Sequence, residues 1–128
     1  MKKYLLDTHV VLWFAENSLM LSSKAKDAIM DANCENYVSL VSAWEIAIKL
    51  KTKKLQLVGG LAEFFAIIDE NGFITMSVER DYLLKLSALP DYHKDPFDRL
   101  IIATAIFENM TLITADENIH KYNASYLW

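Results

Sequence analysis

The apolar residues alternate along the chain between short strand-like runs and longer stretches with helical periodicity. The strand-like runs are KYLL at 3–6, NYVSL at 36–40, FITM at 73–76 and TLIT at 111–114. Between them, apolar positions recur about every 3.6 residues, in LSSKAKDAIMDA, VSAWEIAIKLK, LAEFFAIIDEN, SVERDYLLKLSAL and PFDRLIIATAIFEN. This alternation predicts an α/β fold with a mainly parallel central sheet and helices on both faces.

The length and composition predict one domain spanning residues 1–128. The chain has 128 residues, of which 53% are hydrophobic, and no repeat or Pro/Gly-rich linker divides it. Its only cysteine, Cys34, excludes an intramolecular disulfide. The apolar stretches are too short to span a membrane and no secretory signal opens the sequence, so we expect a cytoplasmic protein with no membrane partner.

The charge balance weighs against simple electrostatic capture of nucleic acid, which normally needs a basic surface. The chain has 13 Lys and Arg residues against 17 Asp and Glu residues, a net charge of −4. Acids gathered around divalent cations would make this balance less repulsive to phosphate. The lysines cluster in IKLKTKKLQ, either as a phosphate-facing patch or as a solvated helix end, and we favour the helix end.

Four carboxylates occupy comparable places at the ends of the predicted elements. Asp7 and Asp116 follow apolar strands, and Glu45 and Asp98 lie near the starts of helices. Because ligands of open parallel sheets bind outside the carboxyl ends of the strands, we expect these acids to converge. Converging carboxylates suit a hard cation such as Mg²⁺ or Mn²⁺, and such a site suits phosphodiester hydrolysis.

Helix capping is the competing explanation for each of these acids taken singly. It does not explain why two apolar strands at opposite ends of the chain both finish in aspartate. Like charges in that partly apolar setting repel unless a cation neutralises them, so the joint pattern favours a metal site. The capping alternatives are Asp7 before Thr8, a capping box of Ser42 with Glu45, Asp95 before Pro96, and Asp116 before ENIHKY.

Four segments together resemble the motifs of PIN-domain ribonucleases, specifically VapC-like toxins of toxin–antitoxin pairs. They are YLLDTHVVLW, SLVSAWEIAIK, HKDPFDRLIIATA and LITAD, and they span nearly the whole chain. The resemblance implies a three-layer α/β/α sandwich, dependence on Mg²⁺ or Mn²⁺, and endonucleolytic cleavage of RNA. It also implies a cognate antitoxin that blocks the acidic pocket. The abundant apolar helical faces are suited to a peptide helix or to a second protomer in a homodimer.

Carried over by position, the resemblance assigns catalytic and metal-binding roles to four acids, of which Asp7 and Asp98 are favoured as direct ligands. The other two are Glu45 and Asp116. Neighbouring hydroxyls support them by hydrogen bonding to a carboxylate or to a cation-bound water, and they belong to Thr8, Ser42 and Thr114. Asp95 is a further supporting residue, either as a ligand or only as a helix cap. The number of cations stays open.

Three more residues are candidates for RNA contact: Lys49, Arg99 and His9. For Lys49 we favour a helical ion pair with Glu45, and for Arg99 a salt bridge is an equal alternative. His93 and His120 are expected to be exposed loop residues. Five aromatic residues recur at helical spacing, and we predict that they lie in the core or contact a second protomer. They are Trp13, Trp44, Phe64, Phe65 and Phe107.

Three other functions stay open on the sequence alone. The same site could serve a housekeeping RNA-processing nuclease or a DNA nuclease, since metal-assisted hydrolysis does not itself need the 2′-hydroxyl. A phospho-acceptor signalling domain could gather acids around Mg²⁺, although Glu45 has no evident role there. A non-catalytic module for binding RNA or a protein partner could retain the fold without cleaving RNA.

Overall fold

The computed structural model describes all residues from 1 to 128 and contains a single five-stranded sheet. The strands are β1 (Lys2–Leu6), β2 (Cys34–Ser39), β3 (Ile74–Met76), β4 (Thr111–Ile113) and β5 (Tyr126–Leu127). They lie in the order β3-β2-β1-β4-β5, and every neighbouring pair is parallel. The predicted α/β class with a mainly parallel sheet is therefore confirmed. The strand β5 was not predicted, because two residues carry no periodicity.

Six helices connect the strands and flank the sheet. They are α1 (Thr8–Ala15), α2 (Ser23–Met30), α3 (Leu40–Lys51), α4 (Gly60–Glu70), α5 (Arg80–Ser87) and α6 (Pro96–Glu108), with a short 3₁₀ turn at Ile119–Lys121. All five predicted helical stretches overlap one of these helices. None of the helices has both the length and the apolar character needed to cross a membrane.

The core divides into two apolar clusters, one on each face of the sheet. Leu5 and Leu6 are both fully buried, and because strand side chains alternate in direction they belong to different clusters. Leu6 packs with α1, α2 and α4, where Phe64 is fully buried, whereas Leu5 packs with α5 and α6. Residues of α3 contribute to both clusters. Two helical layers around one sheet make the three-layer sandwich that the resemblance implied.

The strand order changes direction between β1 and β4, and this is where the sheet positions the candidate site. The chain proceeds from β1 to β2 and β3 on one side, then returns to place β4 on the other side of β1. Leu6 pairs with Ile113, so the next residues, Asp7 and Thr114, leave the sheet side by side. Such a switch point at the carboxyl ends of the strands is the usual place for a ligand site in this architecture.

Candidate metal centre

Asp7 follows β1 directly and is almost completely buried. Its Oδ1 accepts a hydrogen bond from the backbone N–H of His9 at 3.2 Å, which caps α1 as predicted. Its Oδ2 accepts from the Thr114 hydroxyl at 2.7 Å. Burial raises the pKa of Asp7 above its ordinary value, although the hydrogen bonds oppose that shift. The carboxylate is thus oriented on both oxygens but only partly stabilised in its charged form.

Glu45 is buried on α3 and turns both carboxylate oxygens toward other side chains. Its Oε2 accepts a 2.6 Å hydrogen bond from Lys49 Nζ, and its Oε1 lies 2.9 Å from Thr8 Oγ1. Thr8 Oγ1 also lies 2.8 Å from Ser42 Oγ. A hydroxyl has one proton and a carboxylate has none. The consistent assignment therefore has Ser42 donating to Thr8, and Thr8 donating to Glu45.

The predicted capping box of Ser42 and Glu45 is wrong. The helix α3 begins at Leu40, one turn earlier than that motif requires, and its cap is Ser39, whose hydroxyl accepts from the Val41 N–H at 3.1 Å. Because β2 leads straight into α3, the earlier serine takes the capping position. Ser42 and Glu45 consequently lie inside the helix, where they are free to contact α1.

Asp98 lies in the first turn of α6, with 18% of its side chain exposed. Burial, together with the negative charges of Asp7, Asp95 and Glu45, raises the pKa of Asp98 to about 7, against the opposing influence of His93. Asp7 and Glu45 thus lie near enough to disfavour the charge of Asp98, and His93 Nε2 lies within 3.1 Å of both Asp98 and Asp116. A divalent cation among them would offset this repulsion, and carboxylate oxygens are the donors that Mg²⁺ and Mn²⁺ prefer. The donor set therefore fits the predicted cation.

Asp95 caps α6, as the sequence indicated. Its Oδ1 accepts from the backbone N–H groups of Phe97 at 2.8 Å and of Asp98 at 3.1 Å, and Pro96 begins the helix. The cap fixes the first turn of α6 and hence the place of Asp98. Asp95 supports the site in this way while adding negative charge beside it.

Asp116 lies three residues after β4 and is held by the turn that follows. Its Oδ1 accepts from the Asn118 N–H at 2.9 Å, and its backbone carbonyl accepts from Ile119 and His120. Its Oδ2 lies 2.7 Å from His93 Nε2. Burial raises the pKa of Asp116, but the hydrogen bond to His93 and the backbone donors outweigh it, so the pKa falls below its ordinary value.

His93 is the residue of this site that sequence reasoning missed, and the expectation of an exposed loop position is wrong. Only 11% of its side chain is exposed. Its Nε2 lies 2.7 Å from Asp116 Oδ2 and 3.1 Å from Asp98 Oδ2. The potential ligand atoms of these three residues all lie within 4.8 Å of one another. The available signal was its place two residues before the Asp95 cap, which brings the loop next to the start of α6.

His120 is also not an exposed loop residue. Its ring stacks on Tyr126 with centroids 3.7 Å apart, and its Nε2 lies 2.9 Å from the Thr114 carbonyl oxygen. The stack ties the 3₁₀ turn to β5 at the edge of the sheet. His120 therefore has a packing role next to the site.

The three candidates for RNA contact have different environments. Lys49 forms the predicted ion pair with Glu45, whose hydrogen bond and charge outweigh partial burial and raise the pKa of Lys49. Arg99 turns toward the loop before α6 and pairs with Asp91 at 3.1 Å. His9 has 56% of its side chain exposed, 3.9 Å from Asp7. Only His9 of the three combines a largely exposed side chain with contact to a site carboxylate.

The aromatic residues divide between the core and the surface. Phe64 is fully buried as predicted, and Trp13 and Phe65 pack against the same cluster. Trp44 is 60% exposed and meets Phe97 edge-on at 5.0 Å between centroids. Phe107 is exposed as well. For Trp44 and Phe107 the core interpretation is wrong, and only the alternative of a protomer contact remains.

Comparison with known proteins supports one family. The sequence model described as PIN domain matches residues 4–124. Ribonuclease VapC22 of Mycobacterium tuberculosis is 31% identical to the chain over 123 residues, which cover 95% of this chain and 93% of that protein. The structure of VapBC2 from Rickettsia felis, bound to a promoter DNA fragment, aligns with a TM-score of 0.69 at 15% identity, over 98% of this chain and 97% of that one. A toxin–antitoxin complex from Klebsiella pneumoniae aligns with a TM-score of 0.66 at 20% identity, over 98% and 96%. At these identities the two structures share the fold.

Proposed function

The chain belongs to the PIN domain family, and on that premise we propose that it is a divalent-cation-dependent endoribonuclease, the toxin of a toxin–antitoxin pair. The observation that carries this proposal is the close placement of Asp98, Asp116 and His93, whose potential ligand atoms lie within 4.8 Å of one another. In addition, burial and the negative charges of Asp7, Asp95 and Glu45 raise the pKa of Asp98 to about 7. A set of carboxylates that destabilise one another is suited to binding a positive ion rather than to holding the fold together.

In this function, Asp7 and Asp98 are the direct ligands of Mg²⁺ or Mn²⁺, and Glu45 and Asp116 complete the acidic set. The cation, when bound, supplies polarisation of a phosphoryl oxygen and lowers the pKa of water for attack on the phosphodiester. The chain's own groups hold the acids in place. Thr114 orients Asp7 through its hydroxyl, as Thr8 orients Glu45.

Lys49 limits the negative charge of the site from the side of α3. Its ammonium lies 2.6 Å from Glu45 Oε2, and its side chain is one third exposed, so it neutralises a carboxylate that is almost fully buried. The pair also reduces the repulsion of nucleic acid that the net charge of −4 suggests, because one negative charge of the site is already neutralised by Lys49.

The comparison of RNA with DNA tests the substrate class. Matched oligonucleotides of one sequence would be incubated with the protein in Mg²⁺, Mn²⁺ or EDTA, together with Asp7→Asn. Asparagine keeps the size and the helix-capping ability of Asp7 but removes its charge. We expect cation-dependent cutting of RNA that the variant lacks. Equal cutting of DNA would favour a DNA nuclease. If the wild type binds RNA but does not cut it with any cation, a non-catalytic binding module is favoured.

The surface of α3 supports the expected association with other protein chains. Leu40, Trp44 and Ile48 follow one another at intervals of four residues and are 40%, 60% and 39% exposed. Residues at this spacing form a stripe along one helix face, and exposed apolar stripes mark protein contacts. We assign the stripe to a second copy of the chain.

The antitoxin is the second proposed partner, and it acts by blocking the acidic pocket. Co-expression with a small reading frame adjacent to the gene tests this assignment. We expect the two proteins to co-purify and the complex to have lost RNA cleavage. Full cleavage by a stable complex would contradict the blocking role.

A further inference from the structure

His93 lies between two acids of the proposed cation site, and the function described so far gives it no role. Its Nε2 is 2.7 Å from Asp116 Oδ2 and 3.1 Å from Asp98 Oδ2. Two arrangements are consistent with these distances. The nitrogen either carries a proton and donates to the carboxylates, or offers its lone pair to the same cation as they do.

The other ring nitrogen decides between the two arrangements. The backbone N–H of Asp95 donates to His93 Nδ1 at 3.0 Å. A nitrogen that accepts a hydrogen bond carries no proton, so the neutral ring holds its proton on Nε2. Nε2 therefore has no lone pair free for a cation, and it donates to Asp98 and Asp116. A ligand role would require the opposite tautomer, whose Nδ1–H would face the Asp95 N–H.

The backbone around His93 is fixed by contacts that do not involve the acids. The His93 N–H donates to the Tyr122 hydroxyl at 2.9 Å, and Tyr122 in turn donates to the Pro90 carbonyl at 2.7 Å. The His93 carbonyl accepts from Arg99 at 3.3 Å. Ring and backbone are thus both held before any cation binds, which is the property expected of a residue that orients ligands.

We propose that His93 is a positioning residue which, through Nε2–H, holds the carboxylates of Asp98 and Asp116 in the orientation that binds the cation, without being a ligand itself. This inference rests on the proposed function, because it presumes that these two acids face a cation. Groups that hydrogen-bond to metal ligands typically contribute 10- to 100-fold in metal affinity. The donor also places partial positive charge between two carboxylates that otherwise repel each other.

Binding of Mn²⁺, followed through the electron paramagnetic resonance signal of the free ion, tests the role without reference to activity. The variants are His93→Gln, whose amide N–H reaches the position of Nε2, and His93→Leu, which has no donor. His120→Gln is the matched control, since that histidine contacts a carbonyl rather than a carboxylate. We expect His93→Leu to lose roughly 10- to 100-fold in affinity. His93→Gln and the control should stay within about threefold of the wild type. Thermal denaturation in EDTA verifies that each variant is folded.

A second readout concerns the tautomer directly. Long-range ¹H–¹⁵N spectra of the imidazole rings should show His93 protonated on Nε2, both in EDTA and with saturating Mg²⁺. A ring protonated on Nδ1 when Mg²⁺ is bound would overturn the inference in favour of a ligand role. Wild-type affinity in His93→Leu, or equal losses in His93→Gln and His93→Leu, would overturn it as well. If wild type and Asp98→Asn bind Mn²⁺ equally, the cation site itself is wrong and the proposed function fails with it.

Discussion

The Thr114 hydroxyl donates a 2.7 Å hydrogen bond to Asp7 Oδ2 and so joins two residues 107 positions apart in the chain. Both leave the sheet at the carboxyl ends of adjacent parallel strands, directly after the paired residues Leu6 and Ile113. Each partner is buried. The orientation of the Asp7 carboxylate is therefore set by the register of the central strand pair, and it should respond to changes in the neighbouring strand.

Replacement of Thr114 by valine removes this hydrogen bond while keeping the shape and the β-branching of the side chain. The buried Asp7 carboxylate then loses a donor, and the Asp116 N–H loses its acceptor on Thr114. We expect the free energy of unfolding to fall by about 1–3 kcal/mol. Urea denaturation of Thr114→Val and of the control Thr111→Val, at the start of β4, measures the effect. Equal losses in the two variants would show that the hydrogen bond contributes nothing specific.

Removal of the charge of Asp98 should stabilise the cation-free protein. The folded-state pKa of about 7 lies above the ordinary 3.8, so the stability that Asp98 contributes is full below about pH 4 and is lost as the pH rises through 7. Asp98→Asn cannot ionise and escapes that loss. Its advantage in EDTA should grow by on the order of 2–3 kcal/mol between pH 4 and pH 8.

Urea denaturation of wild type and Asp98→Asn across this pH range tests the sign of the effect. Saturating Mg²⁺ should stabilise only the wild type, because a ligand stabilises the state that binds it. An advantage that does not change with pH would contradict the assignment of a strained carboxylate.

Arg99 should matter through its contacts with backbone and Tyr122 rather than through its salt bridge. Its Nη1 donates to the Pro90 carbonyl at 3.0 Å and approaches the Tyr122 hydroxyl at 3.3 Å, whereas its partner Asp91 is 93% exposed. We expect Arg99→Met to lose about 1–3 kcal/mol of stability, and Asp91→Asn less than about 0.5 kcal/mol. Chemical denaturation measures the stability of both variants. Similar losses would show that the salt bridge to Asp91 contributes as much as the other contacts of Arg99.

The stripe on α3 should mediate self-association. Trp44→Glu places a charge in the middle of the stripe, and desolvating that charge in an apolar contact is costly. Sedimentation equilibrium should show a dimer for the wild type and a monomer for Trp44→Glu. Met30→Glu, at an exposed apolar position on α2, should remain dimeric. A wild type that is monomeric at all concentrations would rule out this interface.

The fold class and the placement of acids at the ends of elements could be predicted because both depend on local patterns. Apolar runs that end in aspartate place Asp7 and Asp116 beyond the strands, and the alternation of elements predicts a mainly parallel sheet, whereas the adjacency of β1 and β4 comes only from the structure. The DPFD segment likewise predicts that Asp95 caps α6, as the structure shows. Each of these inferences needs only residues that are close together in sequence.

The position of His93 two residues before the Asp95 cap indicates that it lies near the start of α6, but its role depends on long-range contacts that the sequence does not show. Its loop has no periodicity, and it is held by Tyr122, which lies 29 residues away in the chain. The capping box failed for a different reason. Ser39 and Ser42 both lie near the start of α3. Because β2 ends at Ser39 and the helix begins at Leu40, Ser39 takes the capping position, and this boundary is not evident from the sequence. Likewise β5 exists through its pairing with β4, which its own two residues do not reveal.

The most direct test of the central claim measures RNA cleavage as a function of the cation. A structured RNA pool would be incubated with wild type, Asp98→Asn and, as a control for the same substitution outside the site, Asp27→Asn on the exposed face of α2. The proposed function predicts cleavage by wild type and Asp27→Asn in Mg²⁺ or Mn²⁺, and none in EDTA. It predicts no cleavage by Asp98→Asn, with circular dichroism showing that the variant is folded. Cleavage that persists in EDTA, or that Asp98→Asn performs at the wild-type rate, would contradict it.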